Sequence, residues 1–188
     1  MNKYLPVFLL VLLGACNQPG PKEKSVTKDT IQTTDSLQAV AKNAAPEYYF
    51  PEPKGWVNDF EGIFTRDEMT NLDSIIIAHK QQTGNEIAIA TVPASYYPKD
   101  SLASYSFRLF NQWHIGEKEK NNGVGIILSK ANRQVRIETG KGVIQILTNE
   151  KVQSIIDKSM IPSFKNGNYF EGTKKAIMDI IKILGKPA

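Results

Sequence analysis

Apolar and polar residues change their spacing several times along this chain, and each change marks an element. After Thr65-Arg66-Asp67-Glu68, residues Met69, Leu72, Ile75, Ile76 and His79 recur at three- and four-residue intervals, the spacing of one side of an α-helix. Thr65 and Glu68 have the capping-box form, in which the threonine caps the helix and the glutamate reaches back to the cap. This first helix is expected to end near Thr83-Gly84. Residues 86–92, Glu-Ile-Ala-Ile-Ala-Thr-Val, form an apolar run of strand length closed by Pro93, the pattern of a buried strand. Tyr96-Tyr97-Pro98 reads as loop. Asp100 or Ser101 then caps a second helix carrying Leu102, Tyr105, Phe107, Leu109, Phe110 and Trp113.

Residues 123–128 are a second apolar strand. Residues 134–138 alternate instead, with Val135 and Ile137 expected inward and Gln134, Arg136 and Glu138 outward. Ala131-Asn132 sits at the turn between them, so these two strands form a hairpin. The first strand reaches the second through a helical crossover, which predicts a parallel, right-handed connection. Gly140 and Gly142 end the third strand and are expected to provide a positive φ at its exit. Thr148 or Asn149 caps a helix with Val152, Ile155, Ile156 and Met160, and Pro162 is expected to stop it. The final helix, residues 169–184, repeats Ala176, Ile177, Ile180, Ile181 and Leu184 on one side and Lys174, Lys175 and Lys182 on the other. An apolar sheet needs helices on both faces. The expected fold is therefore α/β, a three-layer α/β/α sandwich whose small mixed sheet combines a parallel crossover with one hairpin, over residues 54–184. Before it, residues 46–53 place Tyr48, Tyr49 and Phe50 between prolines, which favours an extended strap.

The start of the chain has a different pattern. Residues 1–15 carry Lys3, an apolar run from Leu5 to Leu13, then Gly14 and Ala15, and read as a signal peptide. The run is shorter than the roughly 20 apolar residues a spanning helix needs. Leu13-Gly14-Ala15-Cys16 resembles the bacterial lipobox, in which small residues fit the peptidase cleft and the cysteine sulfur receives diacylglycerol. The alternative is an ordinary secretory signal beside an incidental cysteine. Residues 16–53 are then an acylated cysteine and a linker, since residues 17–45 are rich in Pro, Lys, Thr, Ser, Asp and Gln and lack a sustained apolar period. About thirty such residues would reach roughly 30 Å in root-mean-square terms. A helical reading of residues 35–42 stays open. The expectation is a cell-envelope protein, lipid-anchored and periplasm-facing, with membrane lipid as its partner through acylated Cys16.

Composition narrows the chemistry. The 188 residues accommodate one ordinary domain plus this leader, and 41% apolar with 22% charged residues is a globular balance. The charge of +4 drops to +3 once the first fifteen residues are removed, and the basic residues are scattered, so nucleic acid is not an expected partner. Cys16 is the only cysteine, which excludes an intrachain disulfide and any thiol nucleophile in the folded part. Neither a zincin helix, a Walker loop nor a nucleophile elbow occurs. His79 and His114 read as packing or surface residues. Gly140-Lys141-Gly142 does not lead straight into a helix, as a phosphate cradle would require. What remains is oxygen: Asn58 and Asp59, Asn121 and Asn122, and Glu138, all in loops or at strand ends. Such groups suit calcium, and equally they shape turns and cap helices.

Five blocks in register give a resemblance. Gly55-Trp56-Val57-Asn58-Asp59, Thr83-Gly84-Asn85-Glu86-Ile87, Asn121-Asn122-Gly123-Val124-Gly125-Ile126-Ile127-Leu128, Arg136-Ile137-Glu138-Thr139-Gly140-Lys141-Gly142 and Ile161-Pro162-Ser163-Phe164-Lys165-Asn166-Gly167-Asn168-Tyr169 resemble the TPM domain family in its own order. The resemblance implies an α/β/α fold outside the cytoplasm, often on a membrane tether. Members include thylakoid-lumen proteins of photosystem repair and bacterial envelope proteins; some are reported as acid phosphatases and some bind calcium. This chain departs from the family at Asn121, Ile144 and Asn149, where acidic residues are common. Fewer anionic oxygens lower the expected cation affinity. Two functions follow from the resemblance. One is a binding or accessory module for an envelope protein. The other is a metal-assisted acid phosphatase, with Asp59 and Glu138 catalytic, Arg133 and Arg136 on the phosphate, and calcium held by Asp59, Asn121, Asn122 and Glu138. A purely structural lipoprotein is a third reading.

Overall fold

Four strands lie side by side in their sequence order in the computed structural model, which describes residues 47–185. The expected signal peptide, Cys16 and most of the linker, including residues 35–42, lie outside the described residues. In chain order the elements are β1 (Val57–Asp59), α1 (Arg66–Thr83), β2 (Glu86–Thr91), α2 (Leu102–Gln112), β3 (Gly123–Ser129), β4 (Gln134–Thr139), α3 (Asn149–Ile155), α4 (Ile161–Lys165) and α5 (Tyr169–Leu184). β1, β2 and β3 are mutually parallel, and β4 returns antiparallel to β3. The crossover and the hairpin stand where the alternation of residues puts them.

The two faces of the sheet differ in size of side chain, and this decides what packs on each. Ile87 and Ile89 of β2 and Val124, Ile126 and Leu128 of β3 share a core with Leu72 and Ile76 of α1 and Ala176, Ile177 and Ile180 of α5. The alternate residues Ala88, Ala90 and Ile127 meet the aromatic side of α2, Tyr105, Leu109, Phe110 and the following Trp113. Small residues here let an aromatic helix lie close. A Cβ at Gly125 would run into the Phe110 ring. The strap docks on this same layer: Tyr105 donates to the Tyr49 carbonyl (2.9 Å), Trp113 Nε1 to the Pro51 carbonyl (2.8 Å), and the rings of Tyr48 and Phe50 stack beside Tyr105.

Local signals hold at α1. The Thr65 and Glu68 capping box is formed, and Gly84 closes the helix with φ 74° while its amide donates to Lys80. Elsewhere the structure corrects the pattern. β1 is an additional strand; three residues are too few to display a period, and it forms because β2 offers a parallel edge from Val57↔Ile89 to Asp59↔Thr91. The helix beginning at Asn149 does not stop at Pro162. It widens into a π turn (Ile156–Met160) and continues as α4, with Pro162 in the first turn of that new segment, where a missing amide costs little. Gly140 and Gly142 do not take positive φ. They are glycines because the chain passes tightly over the residues before β3: a Cβ at Gly140 would strike the Asn121 carbonyl, and one at Gly142 the Lys120 carbonyl. Gln134 and Glu138 are not free outward residues either. They face the α2 layer, where Tyr97 donates to Gln134 (3.2 Å) and Ser106 donates to Glu138.

Candidate functional site

Asp59 ends β1, and its carboxylate is occupied by the turn that follows. Oδ1 accepts from the Ile63 amide (3.1 Å) and from the Thr91 hydroxyl, and Oδ2 accepts from the Phe64 amide (2.8 Å). Thr91, fully buried at the end of β2, in turn accepts from the Glu61 amide (3.0 Å). The adjacent Asn58 is 2% exposed and binds the Lys54 amide and the Gly55 carbonyl. Asp59 and Thr91 thus fold the β1–α1 loop over the carboxyl ends of the parallel strands, and Asn58 holds the segment before β1.

The other oxygens are at the opposite end. Asn122 precedes β3; its side chain accepts from the Glu117 amide and donates to the Gly84 carbonyl, both at 2.9 Å. Asn121 takes φ 49°, donates to the Lys118 carbonyl, and offers its own carbonyl to the Gly142 amide (3.0 Å). Glu138 Oε1 accepts from Ser106 and from Arg136 Nε (2.9 Å).

Register sets how far apart these groups lie. Asp59 aligns through Thr91 with Leu128, whereas Glu138 aligns with Gly125 and Asn122 lies before the strand begins. Asp59 and Glu138 are on the two outer strands, so three strand spacings and three residues separate them, roughly 15 Å or more. Calcium needs its oxygens at about 2.3–2.6 Å from one centre. Asp59, Asn121, Asn122 and Glu138 therefore do not fit a single calcium ion, and Asp59 and Glu138 do not face one another as a catalytic pair. Among the described residues, no three His, Cys, Asp or Glu side chains gather as a metal site would require. The ionisations that burial displaces lie elsewhere. Burial raises Asp73, against the lowering effect of the Val57 amide it binds, and lowers His79.

The structure instead brings together a cleft at the carboxyl ends. Its side walls are the β3–β4 turn and the α4–α5 connection, and it encloses about 590 Å³. Lys130, Arg133 and Lys165 line it together with Val135, Phe164 and Tyr169. The Phe164 and Tyr169 rings pack 5.0 Å apart, and Lys130 Nζ stands 5.6 Å from the centre of the Tyr169 ring. An adjoining hollow of about 660 Å³ reaches past Arg133 towards Glu61, whose carboxylate accepts from the Lys130 (2.7 Å) and Ala131 (3.1 Å) amides. Of the residues expected to meet an anion, Arg133 is here and Arg136 is not. The phosphatase reading implied by the resemblance names Arg133 but not Lys130, Lys165 or Glu61 in these roles. The cleft joins segments some thirty residues apart, and no periodicity links them.

Residues 57–183 match the TPM domain family. No curated protein matches the chain. Among solved structures it is similar to the N-terminal domain of a P. gingivalis protein, at 29% identity and TM-score 0.63 over 69% of this chain and 81% of that one. It is also similar in fold to the BA42 protein of Bizionia argentinensis, at 18% identity and TM-score 0.57 over 66% of this chain and 83% of that one. The N-terminal domain of cg2496 from Corynebacterium glutamicum shares the fold at 12% identity and TM-score 0.54, over 75% and 90% of the two chains. With the family pattern running through every strand and into the last helix, this chain belongs to the TPM domain family.

Proposed function

We propose that the protein is a lipid-tethered, extracytoplasmic binding module of the TPM family, serving an envelope protein or membrane complex. The observation that carries this reading is that the fold holds the candidate catalytic carboxylates apart. Both Asp59 oxygens accept hydrogen bonds from the loop and Thr91, while Glu138, whose Oε1 accepts from Ser106 and Arg136, stands on the far side of the sheet. A general base or nucleophile needs a partner group in reach. The tether rests on Leu13-Gly14-Ala15-Cys16, whose acylated sulfur would hold the domain at a bilayer through its buried methylenes.

The competing reading, a metal-assisted acid phosphatase, draws on the family resemblance and on Arg133 in an open cleft. Hydrolysis of p-nitrophenyl phosphate by the purified chain, with and without calcium or magnesium, separates the two. No turnover above buffer is expected under either condition. Metal-dependent turnover that is lost in both Asp59→Asn and Glu138→Gln, with the variants still folded by circular dichroism, would replace the binding module with the enzyme.

A further inference from the structure

We infer that the cleft between the β3–β4 turn and the α4–α5 connection binds a single-chain amphipathic anion, with its head at Arg133, Lys130 and Lys165 and its apolar body against Val135, Phe164 and Tyr169. Its volume of about 590 Å³ falls within the roughly 300–1,000 Å³ of small-molecule sites, which are mostly apolar with a few placed polar groups. Three side chains of one sign line it, and no carboxylate does. Glu61, the acid nearest in the adjoining hollow, is turned onto two backbone amides. Among the described residues, none of Lys130, Arg133 and Lys165 takes part in an ion pair. Three unpaired cations around an apolar concavity favour an anion over a neutral ligand, and the aromatic wall gives that anion's body a surface to leave water for.

The backbone adds a separate observation. Arg133 takes φ 52°, a left-handed conformation that glycine or asparagine adopts at much lower cost and that costs other residues about 1 kcal/mol or more. Asn132, one position earlier, is used to donate to the Tyr97 hydroxyl (2.8 Å). The turn geometry does not account for an arginine at this strained position; a role for its side chain at the cleft does. A guanidinium also meets a carboxylate, sulfonate or phosphate head with two parallel hydrogen bonds. A volume of about 590 Å³ lined by Val135, Phe164 and Tyr169 is on the scale of a single-chain ligand and is small for a two-chain lipid.

This inference rests on the reading of the domain as a binding module, and the two fail separately. Phosphoester turnover would remove the module, whereas loss of anion binding would leave it standing with its partner elsewhere. The test titrates the whole chain, carrying Cys16→Ser so that no detergent is needed, with sodium decanoate below its micellar range. Calorimetry gives the affinity and amide NMR shifts give the place. Decanoate is expected to bind one to one, shifting the amides of Val135 and Tyr169, while decanol and acetate bind at least about tenfold more weakly. Arg133→Gln and Lys165→Gln are each expected to weaken decanoate about tenfold, and Arg136→Gln to leave it unchanged. Equal binding of decanol, unaltered affinity in Arg133→Gln, or shifts confined to another face would overturn the proposal. Displacement of decanoate by phosphatidylglycerol vesicles in an Arg133-dependent manner would overturn its single-chain ligand in favour of a bilayer surface.

Discussion

At the scale of single residues, polar groups in this domain hold loops to strand ends. Asp59 looks in the sequence like a catalytic or calcium-binding acid because it is one of the oxygens in the loop before the first helix and the family resemblance implies such a role. The structure gives its oxygens to Ile63, Phe64 and Thr91, the work of a loop clamp. Asn122 is used in the same way between Glu117 and Gly84. Residue type in a linear sequence reports which atoms can accept a hydrogen bond, but the partner that reaches them first is set by the fold. His79 illustrates the reverse case, a titratable group whose environment was legible from its place on the apolar side of the first helix. It is 4% exposed, its ring lies near the Thr83 hydroxyl, and burial lowers its pKa below 6.5. The unfolded chain then binds the proton more readily than the folded one. The stability that neutral His79 contributes is present above pH 6.5 and is lost as pH falls from there through the lower folded-state value. Tm is expected to drop between pH 7 and pH 5, and His79→Leu to flatten that drop; an equal drop in the variant would show that other groups cause it.

At the scale of elements, the long periodic segments were readable and the short or composite ones were not. The helix of residues 169–184 repeats its apolar spacing over several turns and the capping box at Thr65 closes within four residues, so local chemistry specifies them. β1 has no such redundancy. Pro162 signals a stop to any rule based on the missing amide, yet the π turn before it lets the chain remain helical around a proline that begins a new segment. The strap is a third case, correctly extended in the sequence but with no hint of its docking site. Tyr105, whose hydroxyl is pushed up in pKa by burial and then by the neighbouring Tyr96, Tyr97 and Tyr49, stays protonated and donates to the Tyr49 carbonyl. Tyr105→Phe should cost about 1 kcal/mol in chemical denaturation. The same change should speed hydrogen exchange of the Tyr49 amide, now bonded to Tyr96, by about tenfold. Exchange that stays at the native rate would mean that the stacked rings alone hold the strap.

At the scale of the whole molecule, the fold gathers its open chemistry at one end of the sheet. The carboxyl ends of β1–β3 receive the clamped β1–α1 loop, the hairpin turn and the α4–α5 connection, and the cationic cleft lies among them. Parallel strands with crossovers commonly leave such a crevice at their carboxyl ends. The strap meets this end as well, since the Tyr49 amide donates to the Tyr96 carbonyl in the segment after β2. Among the described residues no helix is long and apolar enough to cross a membrane. The attachment proposed above is through Cys16. Cys16→Ser is expected to move the protein from the membrane pellet to the soluble fraction in cell fractionation, and continued pelleting would remove the lipid tether. What the sequence determined by itself was the order of helices, the hairpin and the covering of both sheet faces, because these follow from periodicity and caps acting over neighbouring residues; the family followed from the resemblance of five residue blocks. Only the tertiary structure decided which oxygens are spent, why Gly140 and Gly142 must be glycine, and which cations share a cleft. Those depend on distances between segments remote in the chain, and residue spacing carries no record of them.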